Sequence, residues 1–358
     1  MQPLSRRAFL LTVPVVLAGE LVPTELRRFK DGATEFDVSR LTDPVHSSYL
    51  PPAHLHPISR HNNSIFYCSD RSGTMQAYRM ELKSGESTLI QHLTSPDPAT
   101  LAHSPDEHSV CCFDGPSLTY TGITKPQSRQ IYELPKGWNR GRGFGFAEDG
   151  LFATFVETDG STWRLQLAGV TRQTQTTIAE AKEEISDPMP RPRRAGLLFR
   201  QQNGLALVNY NGRDRRRLKL APGGTIGPAM WSADGRTVTY LFYPDDHTKL
   251  HQLREHTPDT NDDKLIAPTS QFVHFAPNAD GSVFVGVSSN KASPHILILL
   301  RVTRRELTVC EHHSADATSV RIAFSPNSQR IVFQTDREGK PALYAVAVER
   351  FVENTESG

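Results

Sequence analysis

Short stretches in which apolar and polar residues alternate recur along the chain, and Gly, Pro, Asn or Asp bounds each of them. Alternation with a period of two predicts half-buried β-strands rather than helices. The recurring unit is a polar turn followed by a β-rich run, clearest in HSPDEHSVCCF, WSADGRTVTYLF and FSPNSQRIVF. One stretch, Ile178 to Pro188 (IAEAKEEISDP), instead predicts a helical excursion between two repeats.

The polar turns recur at nearly constant spacing. Successive landmarks are separated by 45, 43, 44, 41, 44 and 49 residues, the landmarks being His61, Asp106, Asp149, Arg193, Asp234, Asn278 and Asn327. A repeat of about 40 to 50 residues is typical of β-propeller blades. After the last landmark only three strands follow, and Thr34 to Thr42 (TEFDVSRLT) predicts the fourth, which would close the ring. We therefore predict an all-β, seven-bladed β-propeller with four-stranded antiparallel blades and an N-terminal strand closing the last blade.

The N-terminal residues predict export. Ser5, Arg6 and Arg7 begin a segment similar to a twin-arginine signal, and the apolar run that ends at Ala18 is about 11 residues long, whereas roughly 20 are needed to span a bilayer. We expect residues 1–18 to be this signal, 19–33 a linker, 34–350 one propeller and 351–358 a flexible tail. The protein should then be periplasmic or secreted, without a stable membrane span.

Charge and cysteine content narrow the class of protein. The chain has 40 Lys and Arg residues against 39 Asp and Glu, which argues against a nucleic-acid binder. The four cysteines, Cys68, Cys111, Cys112 and Cys310, have no CxxC spacing. Buried thiols are predicted, and a disulfide formed in an oxidising compartment stays open as an alternative.

Several segments resemble known propellers. SDRSG…AYRMELKSGE and FSPNSQRIVFQTDREG…LYAV are similar to the repeats of TolB-like propellers. Over almost the whole chain, the order of features is more similar to the oligogalacturonate lyase family (pectate lyase family 22-like), through FKD…VSRLTD, His54-Leu55-His56, HFAPNADGSVFVG and FSPNSQRIVF. This resemblance implies a seven-bladed propeller that cleaves pectin oligomers by β-elimination, with a metal held by histidines and a glutamine at the mouth of the central channel.

The resemblance also implies that the metal ligands are substituted. The positions that match the histidine and glutamine motif of the last blade are Ala317, Ser319 and Arg321, and those that match a His-Glu-x-Trp motif in blade five are Pro228 to Trp231. Alanine and proline side chains cannot bind a metal. We therefore predict no cofactor, although the family implies a divalent metal.

β-Elimination beside a uronate needs a cation for the carboxylate and a base for the C5 proton. An arginine could replace the metal through a bidentate pair, and a histidine could accept the proton. The catalytic candidates are His274, Arg321 and Arg200. The substrate-binding candidates are two histidines that precede the first blade, a further arginine that could neutralise the uronate, a glutamine beside Arg200, and an aromatic residue with a neighbouring arginine in KGWNRGRGFGF. These are His54, His56, Arg191, Gln201, Trp138 and Arg140.

Two functions remain open from the sequence. The chain would act on or bind acidic pectin-derived oligosaccharides, or it would be a non-catalytic TolB-like propeller that binds a protein of the cell envelope. The first requires arginines and a histidine close together at one channel mouth, whereas the second requires an apolar or mixed patch on the top face.

Overall fold

Seven antiparallel β-sheets make up the computed structural model, which describes residues 21–123 and 127–353. The predicted signal, residues 1–18, lies outside the described residues. In chain order the strands are β1 (Leu21–Val22), β2 (Arg27–Lys30), β3 (Asp37–Arg40), β4 (Ser48–Tyr49), β5 (Ser64–Ser69), β6 (Gln76–Glu81), β7 (Ser87–Leu89), β8 (Ala102–His103), β9 (Ser109–Asp114), β10 (Ser117–Gly122), β11 (Ser128–Glu133), β12 (Asn139–Phe146), β13 (Phe152–Thr158), β14 (Trp163–Gly169), β15 (Gln175–Ala181), β16 (Ile185–Pro190), β17 (Gly196–Gln201), β18 (Gly204–Asn209), β19 (Arg216–Arg217), β20 (Gly224–Trp231), β21 (Val238–Pro244), β22 (His251–Thr257), β23 (Asp262–Thr269), β24 (Phe272–Pro277), β25 (Val283–Ser288), β26 (His295–Leu300), β27 (Arg305–Glu311), β28 (Arg321–Phe324), β29 (Arg330–Thr335) and β30 (Ala342–Ala347).

Each sheet is one blade of a propeller. Blade 1 contains β4 to β7, the next five blades contain four consecutive strands each, and blade 7 contains β28 to β30 together with β3. The first strands of blades 3 to 7 line a common central channel. Three short 3-10 helices, Ala53–Leu55, Pro98–Thr100 and Ala317–Ser319, precede β5, β8 and β28. The predicted seven-bladed fold is confirmed.

The repeated polar residues form the turn between the first and second strands of each blade. In blade 2, the Ser104 N–H donates to the Ser109 carbonyl at 2.8 Å and the Glu107 N–H donates to the Ser104 carbonyl at 2.9 Å. The Asp106 carboxylate caps this turn by accepting from the Ser104 hydroxyl and the His108 N–H. Glu107 has a φ of 59°, a left-handed conformation that Gly occupies in the equivalent turns of blades 3, 5 and 6. The recurring spacing in the sequence is therefore the spacing of one structural turn.

The N-terminal segment closes the ring. Val38 of β3 pairs with Val346 of β30, as the alternation in Thr34 to Thr42 predicted. The segment expected to be a linker also forms strands, because β2 adds a fifth strand beside β3 and β1 adds a fifth strand to blade 1. At the other end, Val352 is buried and Phe351 contacts Phe36, so the start of the expected flexible tail packs on blade 7.

The helix predicted from Ile178 to Pro188 is wrong. This stretch instead contains the last four residues of β15 and the first four residues of β16, which belong to different blades. Ile178 and Ile185 are buried in the core between these blades. Tertiary packing of the two isoleucines therefore overrides the helix propensity of the intervening Ala, Glu and Lys residues.

The core consists of apolar side chains from neighbouring blades. Phe113 of blade 2 meets Phe155 of blade 3 edge to face, with ring centroids 5.1 Å apart. All four cysteines are buried free thiols, as predicted, and burial raises the pKa of Cys112 to about 12. Among the residues described, no helix has the length and apolar character needed to cross a bilayer.

Candidate functional site

A cavity of about 720 Å³ opens where the first strands of blades 3 to 7 begin, and we call it the upper cavity. The 3-10 helix Ala53–Leu55 contributes to its wall. Its ionisable lining side chains are three arginines, one aspartate and two histidines, namely Arg142, Arg200, Arg321, Asp187, His54 and His274. Positive charge therefore exceeds negative charge around this cavity.

Arg321 is the first residue of β28 and is half-buried in the channel wall. In residues 21–123 and 127–353, its guanidinium makes no hydrogen bond and no ion pair. Burial lowers the pKa of Arg321, whereas the carboxylate of Asp187 opposes this shift. The group still carries its charge at neutral pH, because an arginine is protonated in all but extreme conditions. Arg321 thus presents an unpaired cation to the cavity.

The two histidines are each fixed by one hydrogen bond to the backbone. The Nε2 of His274 lies 2.8 Å from the Thr318 carbonyl, and the Nε2 of His54 lies 2.8 Å from the Phe144 carbonyl. A carbonyl only accepts, so Nε2 carries the proton, and Nδ1 of a neutral ring keeps its lone pair. Burial, followed by smaller contributions that include the charge of Arg321, lowers the pKa of both rings. Both are neutral at pH 7 and can accept a proton at Nδ1.

Arg200 lines the upper cavity, but its guanidinium already has protein partners. Its Nη1 and Nη2 donate to the carbonyls of Ile226 and Gly227 at 2.8 and 2.7 Å, and its Nε donates to Asp187 at 3.3 Å. The forked end that would bind a carboxylate therefore links blade 4 to the backbone of blade 5. Arg200 also helps to orient Asp187, which in addition accepts from Nη2 of Arg142 at 3.0 Å.

Close approach of β12 and β16 explains the glycines of NRGRGFGF. Gly143 has a φ of 89°, and a Cβ at this position would lie 2.5 Å from the Cα of Asp187. A Cβ on Gly145 would lie 2.5 Å from Cδ of Pro190. Asp187 has a φ of 50° and lies at an irregularity of the β16–β17 pairing. Only glycine on β12 leaves room for this irregular backbone, which directs Asp187 into the cavity.

The structure brings together four of the predicted residues, namely His54, His274, Arg200 and Arg321. His56 instead lines the channel at its opposite end. Arg191 is buried, and its guanidinium donates to the Gly235 carbonyl and to both oxygens of Asp259. The prediction that Arg191 could neutralise the uronate conflicts with this position, because Arg191 does not line the upper cavity and its guanidinium already binds Asp259.

The remaining three candidates also have partners outside the lining of the upper cavity. The Gln201 amide donates to Glu183 and accepts from Arg215. Arg164 covers one face of Trp138, with its guanidinium carbon 4.0 Å from the ring centroid. Arg140 forms an ion pair with Asp97. The expected sugar-stacking and carboxylate-binding roles of these residues are therefore not supported by their contacts.

Two cavity residues were missed from the sequence. Arg142 stands two positions after Arg140 on β12, and this period-two spacing was the available signal. Asp187 lies in the stretch Ile178 to Pro188, for which the sequence predicted a helical excursion between two repeats. Its role depends on contacts between blades, which no local pattern reveals.

Comparisons with known proteins agree with this architecture. No family model matches the sequence. An oligogalacturonide lyase of Pectobacterium atrosepticum is 21% identical over 385 aligned residues, which cover 92% of this chain and 98% of that protein. The chain is a relative of the oligogalacturonate lyases. An oligogalacturonate lyase of Dickeya dadantii is 20% identical with the same coverage, so the resemblance predicted from the sequence is confirmed.

Solved structures show the oligogalacturonate lyase fold over nearly the whole chain. The crystal structure of the lyase from Vibrio parahaemolyticus has a TM-score of 0.86 at 18% identity and covers 93% of this chain and 99% of that one. An oligogalacturonate lyase in complex with manganese has a TM-score of 0.87 at 19% identity, covering 93% and 98%. TolB from Acinetobacter baumannii is less similar, with a TM-score of 0.50 at 12% identity, covering 80% and 78%.

Because the lyase described above was solved with manganese, the ability of the upper cavity to hold a metal ion is relevant. Within the described ranges, no group of three or more His, Cys, Asp or Glu side chains is arranged to hold a metal ion. The lining offers two imidazole Nδ1 atoms, one carboxylate and the amide oxygens of Gln202 and Asn203. Two arginines already bind the carboxylate, and the two amide oxygens accept from Arg217 and from the Ile226 N–H. The positive charge of Arg321 also repels a divalent cation. The residues present therefore do not fit the metal of the oligogalacturonate lyases.

Proposed function

We propose that the upper cavity binds a uronate of an acidic, pectin-derived oligosaccharide, and that Arg321 supplies the neutralising charge. The observation that supports this most is the half-buried Arg321 guanidinium, which has no partner within the described residues. A cation withdrawn from water without a partner destabilises the folded protein. A ligand carboxylate that pairs with Arg321 through two parallel hydrogen bonds offsets this cost.

The charge distribution around the cavity favours the same ligand class. Three arginines and one aspartate line the cavity, so the local field attracts anions. Arg142 is the most exposed of these arginines, with 62% of its side chain accessible. In an oligomer with one carboxylate per sugar, Arg142 is the partner for a second uronate, through the guanidinium N–H groups other than the Nη2 that donates to Ser186 and Asp187.

We further infer that the site supports β-elimination without a metal. With the uronate carboxylate paired to Arg321, the C5 proton is more acidic, and Nδ1 of His274 accepts it. The electron pair of the C5–H bond then forms the C4=C5 double bond, and the C4–O bond breaks. The leaving oxygen takes a proton from water, and the hydroxide that remains removes the proton from the His274 imidazolium, which restores water and the neutral ring. His274 is neutral and has its Nε2 hydrogen bond fixed, so its tautomer suits this role.

The test is an ultraviolet absorbance assay for unsaturated uronate, with di- and trigalacturonate as substrates, run with added Mn²⁺ and with a chelator. Product should form at the same rate in both conditions. His274→Gln should abolish product while calorimetry still detects binding, and His313→Gln serves as the control, since His313 pairs with Glu311 away from the cavity. Product that requires Mn²⁺ would contradict the role of Arg321, and folded protein that neither binds nor cleaves galacturonides would overturn the proposal.

The predicted alternative, a TolB-like module that binds an envelope protein, has less support. The TolB structure is a weaker match than the lyases, with TM-scores of 0.50 against 0.86 and 0.87. The large apolar side chains that the described residues expose most, such as Val45, Leu250 and Val302, lie in segments of different blades rather than in one patch.

A further inference from the structure

We propose that the opposite end of the channel is a second binding site, for a small, uncharged and mostly apolar molecule with one hydrogen-bonding group. A cavity of about 270 Å³ lies there, where the first strands of the blades end and the recurring turns begin, and we call it the lower cavity. It is lined by Phe146, Met189, Trp231 and Phe324, and by five prolines.

The wall of the lower cavity is held in place by the protein itself. The indole N–H of Trp231 donates to the Met189 carbonyl at 3.4 Å, and the Arg191 guanidinium lies over the indole ring, 5.0 Å from its centroid. Arg191 is in turn fixed by Asp259 and the Gly235 carbonyl. Rigid apolar walls of this kind are typical of preformed sites for small ligands.

The two ends of the channel differ in their charged residues. In the part of the chain that the structure describes, no arginine or lysine lines the lower cavity, and Glu148 at its rim is the single carboxylate. An acidic sugar is therefore disfavoured there, in contrast to the upper cavity. The ligand class that matches the lower cavity is neutral.

His56 supplies the polar contact in this apolar surrounding. Its side chain faces the cavity, and no hydrogen bond to its ring exists in residues 21–123 and 127–353. The His56 side chain is accessible from the channel. Desolvation by the channel walls lowers the pKa of His56 to about 4, so the ring is neutral at pH 7. A neutral imidazole offers one donor and one acceptor to a hydroxyl, carbonyl or N–H group.

The volume limits the ligand to one or two rings. An apolar cavity of about 150 Å³ holds benzene in a well-studied protein, so this larger cavity has room for a bicyclic molecule such as indole. Ala53, His54, Met189 and Met230 lie in the walls of both cavities. A ligand in the lower cavity therefore contacts the back of the same His54 that faces the upper cavity.

Calorimetry with indole as the probe tests this proposal. The wild-type protein should bind one indole saturably. Ala233→Trp introduces a bulky side chain at the exposed mouth of the cavity and should weaken binding at least tenfold. Ala292→Trp makes the same change at an exposed loop alanine that lines neither cavity, and it should bind as the wild type does.

Histidine NMR localises the probe. With ring-labelled histidine, the His56 signals should shift on addition of indole, whereas those of His274, which lines only the upper cavity, should not. The proposal is overturned if folded wild-type protein shows no saturable binding of indole or benzyl alcohol. Equal affinity of Ala233→Trp and the wild type, or a shift at His274 without one at His56, would overturn it as well.

Discussion

Replacing Arg321 with glutamine should separate stability from ligand binding. The substitution removes the charge but keeps a polar side chain in the channel. Since the guanidinium has no hydrogen bond or ion pair among the described residues, no such contact is lost. The half-buried charge itself costs free energy, so Arg321→Gln should raise the free energy of unfolding by about 1 kcal/mol.

The same substitution should weaken ligand binding. A charge-assisted hydrogen-bond pair contributes about 1.5 to 3 kcal/mol, so the affinity for trigalacturonate should fall roughly 10- to 150-fold. Arg321→Lys keeps the charge without the planar fork and should fall between wild type and glutamine. Because the charge of Arg321 lowers the pKa of His54 and His274, both pKa values should rise in Arg321→Gln.

Calorimetry with trigalacturonate, urea unfolding and NMR titration of the histidines measure these three effects. Arg194→Gln is the matched control, since its guanidinium binds Asp259 outside the upper cavity and half of its side chain is exposed. The control should bind trigalacturonate as the wild type does. Unchanged affinity in Arg321→Gln, or a loss of stability greater than 1 kcal/mol, would show that Arg321 is a structural residue and that the reasoning is wrong.

Three further changes test the geometry of the channel. Gly143→Ala places a Cβ 2.5 Å from neighbouring backbone and should lower the free energy of unfolding, measured in urea, by about 2 to 4 kcal/mol. Gly137→Ala is the control, since Gly137 also has a positive φ but faces open space, and it should lose only about 1 kcal/mol. Equal losses in the two variants would contradict the packing argument. Arg200→Met removes the side-chain donor of two β20 carbonyls and should cost about 2 kcal/mol in the same assay. An unchanged midpoint would mean that these hydrogen bonds do not stabilise the fold. The pKa values of His54, His56 and His274 are lowered in the folded protein, so the unfolded chain binds more protons than the folded protein below about pH 6.5. The urea concentration at the unfolding midpoint should therefore fall as pH decreases from about 6.5 to 4, and His56→Asn should make this fall smaller. A midpoint that does not change with pH would contradict this prediction.

The fold was predictable because one local structure, the polar turn, is repeated in every blade. Every blade needs the same turn between its first and second strands, so the turn chemistry appears seven times at blade spacing. The closing strand was predictable for a related reason, since β3 alternates like its partner β30. The error at Ile178 to Pro188 occurred where local propensity and tertiary packing disagree.

The site was predictable only in part. His54, His274, Arg200 and Arg321 converge, but the sequence could not tell which arginines already have partners. Arg200 binds carbonyls of the next blade, whereas Arg321 makes no such contact within the described chain. Whether an arginine pairs with the protein or with a ligand depends on distances between blades, which the sequence does not show. Arg200 stabilises the fold, whereas the charge of Arg321 can bind a ligand.

Closure of blade 7 has a consequence for biosynthesis. The Thr42 hydroxyl accepts from the Leu343 N–H across 301 positions of sequence, next to the β3–β30 pairing. On the ribosome, the partner of β3 emerges only after the other six sheets have been made. Until then the nascent polypeptide carries an unpaired edge strand at each end of an incomplete ring, and such edges favour aggregation until the ring closes.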